Sequence, residues 1–123
     1  MSKVGILPCG GACNVGMISI KATVRLLKNN QNVGYVCPLG LPLGLESIVS
    51  KARAFDKHIA LNGCELECAS KALQSINIEP DRKVHIMNEY KIAKNKNFDD
   101  ETGLDLIVED LIKEIQKLSF DKP

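Results

Sequence analysis

Short apolar runs alternate with longer segments of helical periodicity along most of the chain. Four of these runs predict β-strands, at residues 4–7, 32–36, 57–61 and 83–87. Apolar residues between and after them recur at helical spacing, which predicts helices over residues 14–29, 45–55, 65–75 and 104–118. Asn14 is in a suitable position to be the N-cap of the first helix.

This alternation predicts an α/β fold, because parallel strands need crossover connections and these are usually helical. The crossovers are right-handed, so helices cover both faces of a small, open, mostly parallel four-stranded sheet. We expect the flavodoxin-like strand order 2-1-3-4. At 123 residues, with no visible boundary, the chain fits a single domain over residues 1–123.

Charge and hydropathy narrow the range of partners. The formal net charge is +1, from 16 basic and 15 acidic side chains, so no long-range field attracts nucleic acid or an anionic membrane. The longest apolar run, residues 38–44, is far shorter than the roughly 20 residues of a membrane-spanning helix. The first residues carry no signal-peptide pattern. We therefore expect a cytoplasmic protein with neither a nucleic acid nor a membrane as partner.

Five cysteines are the main candidates for chemistry. A reducing compartment disfavours disulfides and favours metal sites or reactive thiols. Cys9, Cys37 and Cys64 follow the first, second and third predicted strands. Because the carboxyl ends of parallel strands meet at one edge, with neighbours about 4.8 Å apart, we expect these thiols to converge at the topological switch point.

Cys68 adds a fourth thiol one helical turn after Cys64, in the first turn of the helix predicted over residues 65–75. Thiolates from Cys9, Cys37, Cys64 and Cys68 satisfy tetrahedral Zn²⁺. Cys13 is either an alternate or exchange ligand or a small residue at a helix start. The alternative of inert buried thiols is less favoured, because each cysteine falls at a strand end or a helix start.

Three segments of the sequence together resemble the DGC-domain family. They are CGGACNVG at residues 9–16, Val36-Cys37 before a glycine-rich loop, and IALNGCELECA at residues 59–69. The resemblance spans nearly the whole chain. It implies zinc binding by four cysteines, which by position are Cys9, Cys37, Cys64 and Cys68.

The sequence departs from the family motif at two positions. Asn62 stands where the motif that names the family has an Asp. Glu65 stands where a Pro commonly follows the cysteine of that motif. Asn keeps the hydrogen bonding of Asp but not its charge, so an acid–base role of that Asp does not transfer to Asn62.

Other polar residues offer weaker candidates. His58 opens the third predicted strand, far from its carboxyl end, and we expect it to be either structural or exposed. His85, placed in the middle of the fourth strand, is expected to be a packed or edge histidine and not a ligand. Lys94, in the polar segment after that strand, is either solvated or screens the negative charge of the thiolate cluster.

Three functions are compatible with these residues. The first is a zinc-thiolate protein for metal storage, delivery or sensing, whose partners are the metal ion and a protein that donates or accepts metal or sulfur. The second is an iron-sulfur protein for electron transfer or cluster delivery, which the absence of a tight ferredoxin spacing makes less favoured. The third is a zinc- or thiol-dependent enzyme for redox chemistry or sulfur transfer. No residue is assigned a catalytic role.

Overall fold

Four parallel strands form the centre of the protein, in a computed structural model that describes residues 2–120. They are β1 (Val4–Pro8), β2 (Val33–Tyr35), β3 (Lys57–Asn62) and β4 (Arg82–His85). Their order is β2-β1-β3-β4, and all three pairings are parallel. The predicted α/β class and strand order are confirmed, and the sheet is parallel throughout.

Helices cover both faces of this sheet, as predicted. They are α1 (Asn14–Asn29), α2 (Glu46–Arg53), α3 (Cys68–Gln74), α4 (Ile86–Tyr90) and α5 (Leu104–Phe120). None of the helices within residues 2–120 is long and apolar enough to cross a membrane.

Alternating side chains of the central strands divide the core into two layers, because successive residues of a strand point to opposite faces. Ile6 packs with apolar residues of α1, α4 and α5 on one face. Leu7 packs with residues of α2 and α3 on the other. Both side chains are fully buried. The two central strands thus have no solvent-facing side, and their carboxyl ends open onto a single edge.

Two of the differences between the predicted and observed bounds bear on the site. The fourth strand ends at His85, and Ile86, fully buried against the α1 layer, already begins α4. The helix predicted from residue 65 begins only at Cys68. The reason is Glu67, whose φ of 56° and ψ of 41° lie in the left-handed region, through which a right-handed helix cannot continue.

The loop between β1 and α1 packs directly against the first turn of the helix. A Cβ atom on Gly16 would lie 2.0 Å from the carbonyl oxygen of Gly11. The missing side chain therefore lets the loop fold back onto the helix, and this loop carries Cys9 and Cys13.

We predict that Gly16→Ala lowers the free energy of unfolding by about 1–3 kcal/mol, because the added methyl group collides with backbone atoms. The usual effect of alanine in a helix is the opposite, a gain of about 1 kcal/mol over glycine. Urea denaturation measures the difference. Gly11→Ala is the matched control, since its Cβ would meet only the Cys13 sulfur at 3.9 Å. Equal stability of the two variants would contradict the close approach.

Candidate metal centre

The carboxyl edge of the sheet brings the cysteine-bearing loops together. Cys9 directly follows β1, Cys37 and Cys64 lie two residues beyond the ends of β2 and β3, and Cys13 and Cys68 stand at the starts of α1 and α3. All five are free thiols; Cys13 is buried, Cys68 is exposed and the other three are half-buried. The fold therefore delivers thiols to one edge, as the strand-end positions predict.

Four of these thiols line one cavity of about 260 Å³. They are Cys9, Cys13, Cys64 and Cys68. Three of them are predicted ligands, whereas the fourth predicted ligand, Cys37, is not among the described residues that line this cavity. Its neighbour Pro38 lines a second cavity of about 450 Å³, which Cys9 and Cys68 also line. Cys9 and Cys68 thus line both cavities. The fourth thiol of the first cavity is Cys13, and not Cys37 as expected.

Cys37 follows the edge strand β2. Burial, and after it the negative charge of a Cys37 thiolate, raise the pKa of the Tyr35 hydroxyl above its ordinary value. The two residues are two positions apart, a spacing that places side chains on the same face of an extended chain. The two side chains are therefore on the same face of the chain.

The thiols share a space without being in coordination contact. Among residues 2–120, no three Cys, His, Asp or Glu side chains lie close enough together to hold a metal ion. Thiolates nevertheless form the donor set that soft and borderline metals such as zinc prefer. Coordination by three or four of these cysteines requires their loops to draw together.

Cys9 is held between the end of β3 and the first turns of α1. Its sulfur accepts a hydrogen bond from the Gly63 N–H at 3.3 Å and lies 3.6 Å from the Ser19 hydroxyl oxygen. Ser19 donates its one hydrogen to the Gly16 carbonyl and accepts from the Gly10 N–H, so the Cys9 thiol is the donor towards Ser19. Sequence reasoning missed Ser19, which lies ten residues from Cys9 in a different element.

Cys13 is the N-cap of α1, a position that the sequence assigned to Asn14. Its sulfur accepts a hydrogen bond from the Gly16 N–H at 3.3 Å. The positive end of the helix dipole favours negative charge at this position. Cys13 therefore has a structural role in addition to facing the cavity.

Asn14, the first residue of α1, attaches the segment after α4 to this site. Its fully buried side chain donates to the Ala93 carbonyl at 2.8 Å and accepts from the Asn95 N–H at 2.7 Å. Its own N–H donates to the Asn95 carbonyl at 3.0 Å. Lys94 lies between the two bonded residues, and both Lys94 and Lys96 line the cavity. Lys94 reaches the edge as hypothesised from sequence, whereas Lys96 was missed.

Cys64 and Cys68 do not share a helix, and the prediction that they form an i, i+4 helical pair was wrong. Cys64 lies in a turn that is closed by a hydrogen bond from the Glu67 N–H to its carbonyl oxygen. The Glu67 carboxylate lies 3.1 Å from Nε2 of His85 and 3.9 Å from Nζ of Lys83. These contacts stabilise the left-handed conformation of Glu67. Because of that conformation, α3 begins only at Cys68. His85 therefore ends β4 and supports this turn, and it is not in the middle of a strand.

The two other polar residues singled out in the sequence are structural. Asn62 is fully buried and bonds both the hydroxyl and the N–H of Ser70, so it bridges the end of β3 to α3 across the cysteine-bearing turn. His58 is buried, with Nε2 2.6 Å from the Ala52 carbonyl oxygen and its backbone N–H bonded to Asp81. Of the two alternatives expected for His58, structural or exposed, the structure shows the structural one.

Comparison with known proteins adds one finding. The family model described as DGC domain matches residues 5–117, a range that contains all five cysteines and both cavity lysines. No curated protein and no solved structure matches the chain.

We predict that Asn14→Ala lowers the free energy of unfolding by about 2 kcal/mol, because it leaves the Ala93 carbonyl and the Asn95 N–H without their partner. Hydrogen exchange at Asn95 becomes faster as its segment is released. Asn29→Ala is the matched control at the exposed end of the same helix, where one solvent-facing bond to Arg25 is lost, and we expect a change within about 0.5 kcal/mol. A similar loss in both variants would argue against the attachment by Asn14.

At position 67 we predict that glycine is better tolerated than alanine. Both Glu67→Gly and Glu67→Ala lose the contacts to His85 and Lys83, but only glycine adopts the left-handed backbone freely, so Glu67→Gly is the more stable by about 1 kcal/mol. Chemical denaturation of both variants measures this difference. Lys71, inside α3, is the control, because the order reverses at an ordinary helical position. The same order at both positions would refute the role of backbone strain.

Proposed function

The chain belongs to the DGC domain family, and on this premise we propose that it binds zinc through the thiolates of Cys9, Cys37, Cys64 and Cys68. The observation that carries the proposal is the cavity in which three of these cysteines meet at the edge of the sheet. Their sulfur atoms supply a donor set that tetrahedral zinc prefers. The Cys9 sulfur is positioned at this edge by the Gly63 N–H, which lies 3.3 Å away.

Cys37 supplies the fourth thiolate from the loop that follows β2. Pro38, the next residue, lines the second cavity together with Cys9 and Cys68, so this loop is adjacent to two of the other ligands. Cys13 already caps α1 and is buried. We assign it the role of an exchange ligand that holds the metal briefly as it enters or leaves.

The charges around the cavity support a thiolate-rich site. Zinc with four thiolates carries a net charge of −2, and the ammonium groups of Lys94 and Lys96 supply two positive charges at the same cavity. Opposite charges in a partly enclosed site attract more strongly than they do in bulk water. The screening role hypothesised for Lys94 is thus extended to both lysines.

Exchange of the metal is the use that this arrangement favours. Structural zinc sites are closed and hold their ligands in a fixed tetrahedron, whereas here Cys68 is exposed and three further thiols are half-buried. Storage, delivery or sensing of zinc therefore fits better than a purely structural metal. An enzyme is less favoured, because no Asp, Glu or His among residues 2–120 lines the cavity to act as a general base.

We predict about one zinc ion per chain after anaerobic purification, with loss of most of that zinc in Cys9→Ser, Cys37→Ser, Cys64→Ser and Cys68→Ser. The matched control is Cys13→Ser, which keeps the metal. Elemental analysis gives zinc and iron per chain, and the visible spectrum reports an iron-sulfur cluster.

The possible results separate the candidate functions. A colourless protein with stoichiometric zinc supports the proposal, whereas iron together with visible absorption supports the iron-sulfur alternative. Loss of zinc in Cys13→Ser together with its retention in Cys37→Ser would show that Cys13 is the fourth ligand and that Cys37 is not. Metal content unchanged by all five substitutions would exclude a cysteine metal site.

A further inference from the structure

The permanent charges at the four-thiol cavity are positive. Lys94 and Lys96 are the charged side chains among its described lining residues. Within residues 2–120, neither ammonium group pairs with a carboxylate. Their charge is therefore available to whatever enters the cavity.

The backbone that carries the two lysines is fixed at the site. Asn14 bonds the residues on both sides of Lys94, and Asn95, between the two lysines, bonds Asp100 through its side chain. Cys13 and Val15, at the start of α1, line the same cavity, so the positive end of this helix adds to the field. The positive charge is thus built into the cavity and does not belong to a loosely attached loop.

A hydrated divalent cation is a poor match to this field. Like charges at the mouth of a site lower the local concentration of an ion and slow its association, whereas opposite charges raise both. Calcium and magnesium sites, for example, offset the charge of the ion with carboxylates, and no carboxylate lines this cavity among the described residues. A soft metal wrapped in anionic sulfur ligands has the charge that the two lysines attract.

We propose that the cavity receives zinc as an anionic complex with a small thiol, and that Lys94 and Lys96 attract this complex. The inference rests on the proposed zinc site and names the form in which its cargo arrives. The cavity of about 260 Å³ has room for small ligands beside the metal during the exchange.

The transfer is a ligand exchange without a change of oxidation state. A zinc ion with four small thiolates carries a charge of −2, and so does zinc bound by four cysteine thiolates. Four zinc–sulfur bonds to the carrier break as four bonds to cysteine sulfur form. Each cysteine proton passes to a departing small thiolate, so that four free thiols leave and no other reactant is needed.

The test compares two zinc sources on the full-length, metal-free, reduced chain. One source is zinc sulfate, which supplies the hydrated ion, and the other is zinc in excess mercaptoacetate, which supplies an anionic thiolate complex. Timed samples are desalted, and zinc per chain gives the rate of loading. The variants are Lys94→Gln/Lys96→Gln and, as a control that removes the same charge from exposed positions on α5, Lys113→Gln/Lys117→Gln.

We expect opposite effects on the two sources. At low salt, removal of the cavity lysines slows loading from the mercaptoacetate complex about 10-fold and accelerates loading from hydrated zinc. Salt of about 0.5 M reduces both effects, because it screens the charges. The α5 control loads at the wild-type rate from both sources.

Two results would overturn the inference, and they differ from failure of the zinc site. If removal of the cavity lysines changed the loading rate in the same direction for both zinc sources, or changed it for neither, attraction of an anionic complex would be excluded. The proposed zinc site would not be affected by that result. An equally large effect in the α5 control would show that the loading rate depends on the net charge of the protein and not on the lysines of the cavity. Failure of the wild-type chain to retain zinc from either source would refute the proposed function itself.

Discussion

The hydrogen-bonded pairing of β1 with β3 is the interaction on which the candidate site depends. The two strands run parallel from Val4 opposite Lys57 to Pro8 opposite Leu61. The pairing continues beyond the strands, because the Cys9 N–H donates to the Leu61 carbonyl and the Gly63 N–H donates to the Cys9 sulfur. A shift of one residue in this register would turn every side chain to the opposite face, Cys9 included. The buried core on both faces prevents such a shift.

Three polar contacts then position the segments around the cysteines. Asn62 bridges β3 to α3, Asn14 attaches the lysine-bearing segment to α1, and Glu67 connects the turn before Cys68 to β4. The two asparagines are fully buried, and no buried side-chain nitrogen or oxygen among residues 2–120 lacks a hydrogen-bond partner. Satisfied buried polar groups favour one arrangement over alternatives. The frame of the site is therefore specified, while the thiols themselves stay out of coordination contact.

The proposed zinc site combines soft sulfur donors with permanent positive charge. Four thiolates would neutralise a bound zinc ion and leave an excess of negative charge, which nearby lysines would balance. In the delivery that we propose, the same lysines act before binding, when they select the charge of what approaches. The two proposals thus rely on one feature, the pairing of cysteines from the sheet edge with Lys94 and Lys96 from a distant segment.

The sequence by itself determined the alternation of strands and helices and the arrival of thiols at one edge. These two features follow from local hydrophobic periodicity and from the rule that parallel strands end together. The strand order was expected by analogy with flavodoxin-like sheets, and the structure confirmed it. The sequence did not determine where α3 begins, because the left-handed conformation of Glu67 is supported by His85, 18 residues away. The sequence also did not show that Cys13 and Lys96 line the cavity, or that Cys37 is not among its lining residues. The direction of each side chain depends on how the loops are held, and Asn14 holds Asn95 across 81 residues. Only tertiary contacts carry that information.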